Sequence, residues 1–178
     1  MNLNLIKIIF SSILGYFLIA NWTADTSNAK INFSVKGPFG TVHGSFSGLK
    51  ATIQFDENDL AASSFSASVD ATTVSTGIGL RNSDLRNEEV WFNTDKYPTI
   101  SFKSKKIIKS ATGFTVQGEL TLKATTKPIE IPFTFTSTGN TGAFKGQFVI
   151  KREDYKLGKS GGSVGNEVSI TLDIPVKK

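Results

Sequence analysis

Cysteine is absent from this 178-residue chain, and histidine and methionine occur once each. No disulfide, thiolate nucleophile or cysteine metal centre can form. The single histidine, His43, has no partner ligands at metal-binding spacing. It alternates with Val42 and Gly44, which predicts a place on the polar face of a strand. The net charge of +5 is spread along the chain as single lysines. No basic run tracks a phosphate backbone, so nucleic-acid binding is excluded as a reading. A mild attraction to an anionic membrane surface stays open. The chain also lacks an internal repeat, a low-complexity linker and, outside one segment, any sustained 3.6-residue period.

Other residue types are plentiful. There are 14 phenylalanines and 16 glycines, with abundant serine and threonine. Aromatic and threonine side chains suit a pleated, half-buried surface. One domain of this length has room for a sizeable core.

The first twenty residues form a separate object. Lys7 precedes a 13-residue apolar run, Ile8 to Ala20. A spanning helix needs roughly 20 apolar residues, and the shorter run fits a secretory signal peptide. Cleavage is expected near Ala20, with an uncleaved anchor as the alternative. A periplasmic or secreted location follows, and the folded domain is expected over 21–178.

From residue 30 onward apolar and polar residues alternate. Ile31, Phe33 and Val35 begin the pattern, followed by Val42, Gly44, Phe46 and Gly48, then Ala51, Ile53 and Phe55. Phe65 to Ala71, Phe114 to Leu122, Ile129 to Phe135, Phe144 to Ile150 and Val168 to Val176 repeat it. Each set places its apolar side chains on one face of a strand. Eight to ten such strands predict an all-β fold, an antiparallel sandwich or barrel. A barrel of about eight strands has an interior that is either filled or able to hold one small ligand. Gly44, Gly48, Gly118 and Gly146 lie in phase with the apolar face. They either leave interior room or bend the strands.

Residues 75–102 break the alternation. This segment reads as a short helical insert with Leu80, Leu85, Val90, Trp91 and Phe92, and Pro98 returns the chain to strand. Ile78, Leu85 and Phe92 are seven apart, which places them on one side of a helix. The insert is expected to be a lid over the barrel mouth. Arg81 and Asp84 at its start read either as a pair that fixes the lid or as contacts to a ligand's polar head. Arg152, two residues before Asp154, carries the same two readings. Trp91 and Phe92 either line the mouth or form a patch that meets a membrane. Glu88 and Glu89 are adjacent and point about 100° apart on a helix, so they read as a solvated face. The Gly- and Ser-rich stretch 156–166 is expected to be a mobile connection.

Several blocks resemble one known family in order and spacing. Trp22, Asp25, Ile31 and Phe33 resemble its opening pattern. Thr76, Arg81, Leu85, Phe92 and Tyr97-Pro98-Thr99-Ile100-Ser101-Phe102 resemble its central block. Gly118-Glu119-Leu120-Thr121-Leu122-Lys123 with Thr126-Lys127-Pro128 resembles the next, and Arg152, Asp154-Tyr155, Gly158 and Val168 the last. The family is the YceI-like family of secreted lipid-binding proteins, and the resemblance covers nearly all of the chain after the leader. It implies a lipocalin-like antiparallel barrel holding a long apolar chain of polyisoprenoid type. With no histidine or cysteine site in the chain, the expected function is a non-enzymatic carrier or store, with no metal and no cofactor beyond the bound lipid.

The expected channel and lid residues are Phe33, Phe46, Phe55, Phe65, Leu80, Leu85, Trp91, Phe92, Ile100, Phe102, Leu120, Phe133, Phe135 and Phe148. The expected polar mouth is Arg81, Asp84 and Arg152. The chain departs from the family pattern where Asn82 and Asp84 replace an acid and a histidine, and where Asn28, Ala29 and Gly37 stand in place of polar or histidine residues. Head-group preference is therefore open, as are transient membrane contact and a homodimer. Two other readings are kept: an enzyme acting on a lipid-like substrate through Arg81 and Asp84, and a filled barrel docking a partner near Trp91.

Overall fold

Residues 21–178 are described by the structure, a computed structural model. The expected leader, 1–20, lies outside the described residues. Among the described residues there are nine strands and one α-helix: β1 (Asn21–Ala24), β2 (Lys30–Gly37), β3 (Gly40–Gln54), β4 (Ser64–Ser75), α1 (Gly79–Asn87), β5 (Thr99–Ser110), β6 (Gly113–Leu122), β7 (Thr125–Thr138), β8 (Thr141–Lys151) and β9 (Glu167–Lys177). A short 3-10 helix, Arg152–Tyr155, follows β8.

Every consecutive pair from β2 to β9 is antiparallel, and β9 pairs back onto β2. The sheet thus closes as an eight-strand up-and-down barrel, which leaves no long open edge. β1 adds no ninth stave. It pairs with β3 and β9, the two neighbours of β2, further along the same slot (Trp22 beside Ile53, Ala24 beside Val176). β1 and β2 are therefore one stave, broken at 25–29. The break is closed on itself: the Asp25 carboxylate accepts from the Asn28 side-chain amide at 2.8 Å, and the Asp25 carbonyl from its backbone N–H at 3.2 Å. Hydrogen bonds to the carboxylate, first from the Asn28 side chain and then from the backbone N–H groups of Asn28 and Ser27, hold the Asp25 carboxyl below its usual range.

The alternation slips phase where the barrel bends. Along β3 the inward set moves from Phe46 to Leu49, Ala51 and Ile53, and the β3–β4 register shifts at the same place, between Ser45 and Lys50. Gly48 there has φ +70°, a conformation that L side chains rarely adopt. The Thr73 hydroxyl replaces the lost ladder bond by accepting from the Ser47 N–H at 2.9 Å. β5 slips likewise between Ser104 and Lys106.

Two ends result. One carries the 55–63, 111–112 and 139–140 turns together with the 25–29 break. The other carries the 38–39 hairpin tip, the long 76–98 connection containing α1, the 123–124 turn and the 152–166 connection.

Candidate functional site

The apolar interior divides along the barrel axis. At the first end it is solid. Trp22, Phe55, Phe114, Phe133 and Phe144 are buried in one cluster, with Phe65 and Phe135 against it. Phe55 is 1% exposed, and five phenylalanine rings surround it at centroid distances of 5.1–5.8 Å. Most of these pairs are edge-to-face, the arrangement favoured by ring quadrupoles. The Trp22 indole N–H reaches the Phe55 carbonyl at 3.2 Å and satisfies the only polar atom of that side chain.

Above this plug the interior is hollow. A cavity of about 290 Å³ runs toward the second end, with almost wholly apolar walls. Its floor is the upper face of Phe65, Phe133 and Phe144. Phe33, Phe46, Phe102 and Phe148 line its sides with Ile100 and Leu120, and Leu85, Trp91 and Phe92 cover it. A volume near 300 Å³ lies at the small end of the range for sites that take drug-sized ligands.

Five expected site residues lie elsewhere. Phe55 and Phe135 do not line the cavity; both belong to the plug, one layer below its floor. Leu80 is 76% exposed because it lies on the outward face of α1. Arg81 and Asp84 are half-buried and outside the cavity wall, and no ion pair joins them. The expected helix through Ile78, Leu85 and Phe92 also ends early, at Asn87. Beyond it the chain turns back on the helix: Phe92 N–H donates to Leu85 O at 3.0 Å and Thr94 N–H to Arg86 O at 2.7 Å. Leu85 and Phe92 still meet over the cavity, through this turn. Ile78 faces solvent.

The lid is tethered at three points. The Asn82 side-chain oxygen accepts from the Thr76 N–H at 2.8 Å and from its hydroxyl at 2.7 Å. An acceptor is all these bonds require, and the carboxamide at this departure from the family pattern supplies one. The Lys123 ammonium donates to Glu89 O at 2.6 Å. Burial there lowers the Lys123 pKa, opposed by the Glu89 charge. Gly158 N–H donates to Val90 O at 2.5 Å, and Trp91 lies so close over Gly158 that a Cβ there would stand 2.6 Å from its ring. Gly158 also has φ +75°, so glycine is required twice over.

Arg152 organises the other half of the roof. It is 2% exposed and lines the cavity. Its guanidinium donates to the carbonyls of Leu157 (2.8 Å), Lys159 (3.1 Å), Val164 (2.7 Å) and Gly165 (2.9 Å) and to Glu153 Oε1 (3.4 Å). Of the two readings of this residue, the geometry is that of a structural arginine capping backbone carbonyls. The Gly- and Ser-rich connection, expected to be mobile, is wound around it and delivers Leu157 and Val164 to the cavity wall. Their contribution was invisible in the sequence, since neither belongs to a periodic set. Beside Arg152, burial and then the Asp154 charge push the Tyr155 phenol pKa upward.

The in-phase glycines divide. The rings of Phe33 and Phe102 lie across Gly44 and Gly118 of the neighbouring strands, where a Cβ would collide with them. Those two glycines make room for aromatic side chains rather than for a ligand. Gly146 does line the cavity. His43 lies on the exposed face of β3, as alternation predicts.

A plugged, roofed, eight-strand barrel with this lid can be compared with known proteins. The family model described as "YceI-like domain" matches residues 22–176. The chain belongs to the YceI-like family. Among curated YceI-like relatives, the UPF0312 protein YE1254 of Yersinia enterocolitica is 30% identical over 83% of this chain and 80% of its own length. Protein YceI of Escherichia coli is 25% identical over 98% of this chain and 97% of its own. BcnA of Burkholderia cenocepacia, a solved structure, superposes with a TM-score of 0.80 at 26% identity, covering 86% of this chain and 99% of that one. A polyisoprenoid binding domain from Saccharophagus degradans shares the fold, with a TM-score of 0.69 at 18% identity over 89% and 98% of the two chains. The family and the barrel expected from the sequence are both borne out.

Proposed function

We propose that this YceI-like protein holds a long-chain lipid of isoprenoid type in the roofed half of its barrel and stores or carries it outside the cytoplasm. The cavity itself carries the reading: it has apolar walls on every stave, a ring-packed floor and a tethered lid. Burial of an apolar chain is the driving force, about 25 cal/mol per Å² removed from water. The name of the S. degradans domain, a polyisoprenoid binding domain of the same fold, supports the ligand class. The apolar run before residue 21 supports export. The enzymatic alternative rested on Arg81 and Asp84, which stand off the cavity wall.

The two tryptophans provide a test, because Trp91 lines the cavity and Trp22 is sealed in the plug. Titration with an isoprenoid quinone, itself a quencher, is expected to quench the fluorescence saturably near one equivalent. In Trp91→Phe, which retains only Trp22, the quenching should be much weaker. Quenching that never saturates, or that is unchanged in Trp91→Phe, contradicts the reading.

A further inference from the structure

Among the described residues, the large apolar side chains that stand exposed are Phe39, Ile78, Leu80, Val90 and Val149. Four of the five lie on the connections at the roofed end of the barrel, and none on the turns of the plugged end. Phe39 is 102% exposed at the tip of Gly37-Pro38-Phe39-Gly40. A phenylalanine in that position contributes nothing to the folded chain. Exposed apolar residues scattered singly need no explanation, but a group gathered at one end of a molecule marks an interaction surface.

Charge narrows the choice of partner. Segments 36–40, 77–81 and 156–166 carry Lys36, Arg81, Lys156 and Lys159, and no acid. These segments are neighbours. Gly165 N–H donates to Lys36 O at 2.7 Å, and Ser45, near the hairpin, pairs with Ser75 at the start of the lid connection. Phe39 therefore stands on a hairpin that carries Lys36, beside the connection that carries Lys156 and Lys159. The acids of this end, Asp84, Glu88, Glu89, Asp95, Glu153 and Asp154, lie in 82–98 and 152–155, with Asp84 one helical turn from Leu80. Residues 36–40, 76–98, 123–124 and 152–166 together hold eight cationic and six acidic side chains, a small positive excess.

We propose that this end of the barrel docks on the surface of an anionic lipid bilayer. Phe39, Ile78 and Leu80 enter the boundary between head groups and acyl chains, and Lys36, Arg81, Lys156 and Lys159 meet the anionic head groups. Trp91, the sequence-based candidate for membrane contact, has no part in this, because it is packed onto Gly158. The inference deepens the carrier reading. The cavity roof faces the same end, so a lipid tail passes between bilayer and barrel without crossing water.

Flotation of the full chain with vesicles tests this, using phosphatidylcholine alone and phosphatidylcholine mixed with phosphatidylglycerol. Binding is expected only to the mixed vesicles, and to fall with added salt. Lys36→Gln and Lys159→Gln should each weaken it about fivefold. Phe39→Ser, which removes a ring that touches nothing, should weaken it about tenfold or more with the melting temperature unchanged. Wild-type protein that floats with neither vesicle, or Phe39→Ser that floats as well as wild type, overturns the proposal. So does a dimer in light scattering that Phe39→Ser dissolves, which would make a second copy the occupant. The quinone titration separates this from the carrier reading. Loading without vesicle binding removes the docking alone, and vesicle binding without loading removes the carrier reading alone.

Discussion

Phe55→Ala is expected to lower the unfolding free energy by about 4 kcal/mol and the melting temperature by roughly 12 °C. Phe55 is the ring around which the plug is built, 1% exposed and in contact with five others. Its neighbours come from four different strands, β4, β6, β7 and β8, so they cannot collapse together to fill the gap. The cost is then the lost transfer energy plus most of a cavity. Ile170→Ala is the contrast. Ile170 lines the hollow half and is not part of the plug. It already borders open space on one side, so truncation should cost only about 1 kcal/mol. Chemical denaturation of both variants reads the difference. Similar losses at the two sites would mean that the interior is uniformly packed and that the division into plug and channel is wrong.

Arg152→Met is expected to cost about 3 kcal/mol and to release the 156–166 connection. Methionine keeps an unbranched apolar stem but withdraws the donors from four backbone carbonyls and from Glu153. Hydrogen bonds to a charged group are worth about 1.5–3 kcal/mol each. The released carbonyls recover part of this from water once the connection opens, which is why the sum is not reached. Protease should then cut within 156–166, where the wild-type chain is protected. The roof loses Leu157 and Val164 with it, so bound lipid should leave faster. Glu153→Gln removes the charge from the 3.4 Å ion pair and replaces one of the two carboxylate oxygens that accept from Arg152 and from the Ser160 hydroxyl (3.0 Å); it is expected to change stability by less than about 1 kcal/mol. An Arg152→Met protein as stable and protease-resistant as wild type would show that the connection holds its shape without the guanidinium.

Much of the barrel was legible because alternation is a local signal. Inside and outside are set by a period of two. The slips in phase, from Phe46 to Leu49 on β3 and from Phe102 to Ile107 on β5, were not read from it: Gly48 counted with the apolar face, whereas the structure turns Leu49 inward. Height along the barrel is not local. It depends on strand tilt and on the register of neighbours, so Phe55 and Phe135 carried the same inward signal as Phe65 and Phe133 yet do not reach the cavity. The broken first stave was hidden for a related reason: four residues around Trp22 are too few to show a period. The lid was visible as an interruption, but its helix is short and the cover over the channel comes from the turn after it. Arg152 was ambiguous because one guanidinium can serve a ligand or a loop, and only the folded connection brings the carbonyls of Leu157, Lys159, Val164 and Gly165 to it.

The central claim is that the roofed half of the barrel holds a long-chain lipid. Native mass spectrometry of the protein, purified without detergent and followed by lipid extraction, tests it most directly. The account predicts a species heavier than the polypeptide by the mass of one lipid, with an isoprenoid-type chain recovered in the extract. A spectrum of bare polypeptide that gains no mass on incubation with isoprenoid quinone would contradict it.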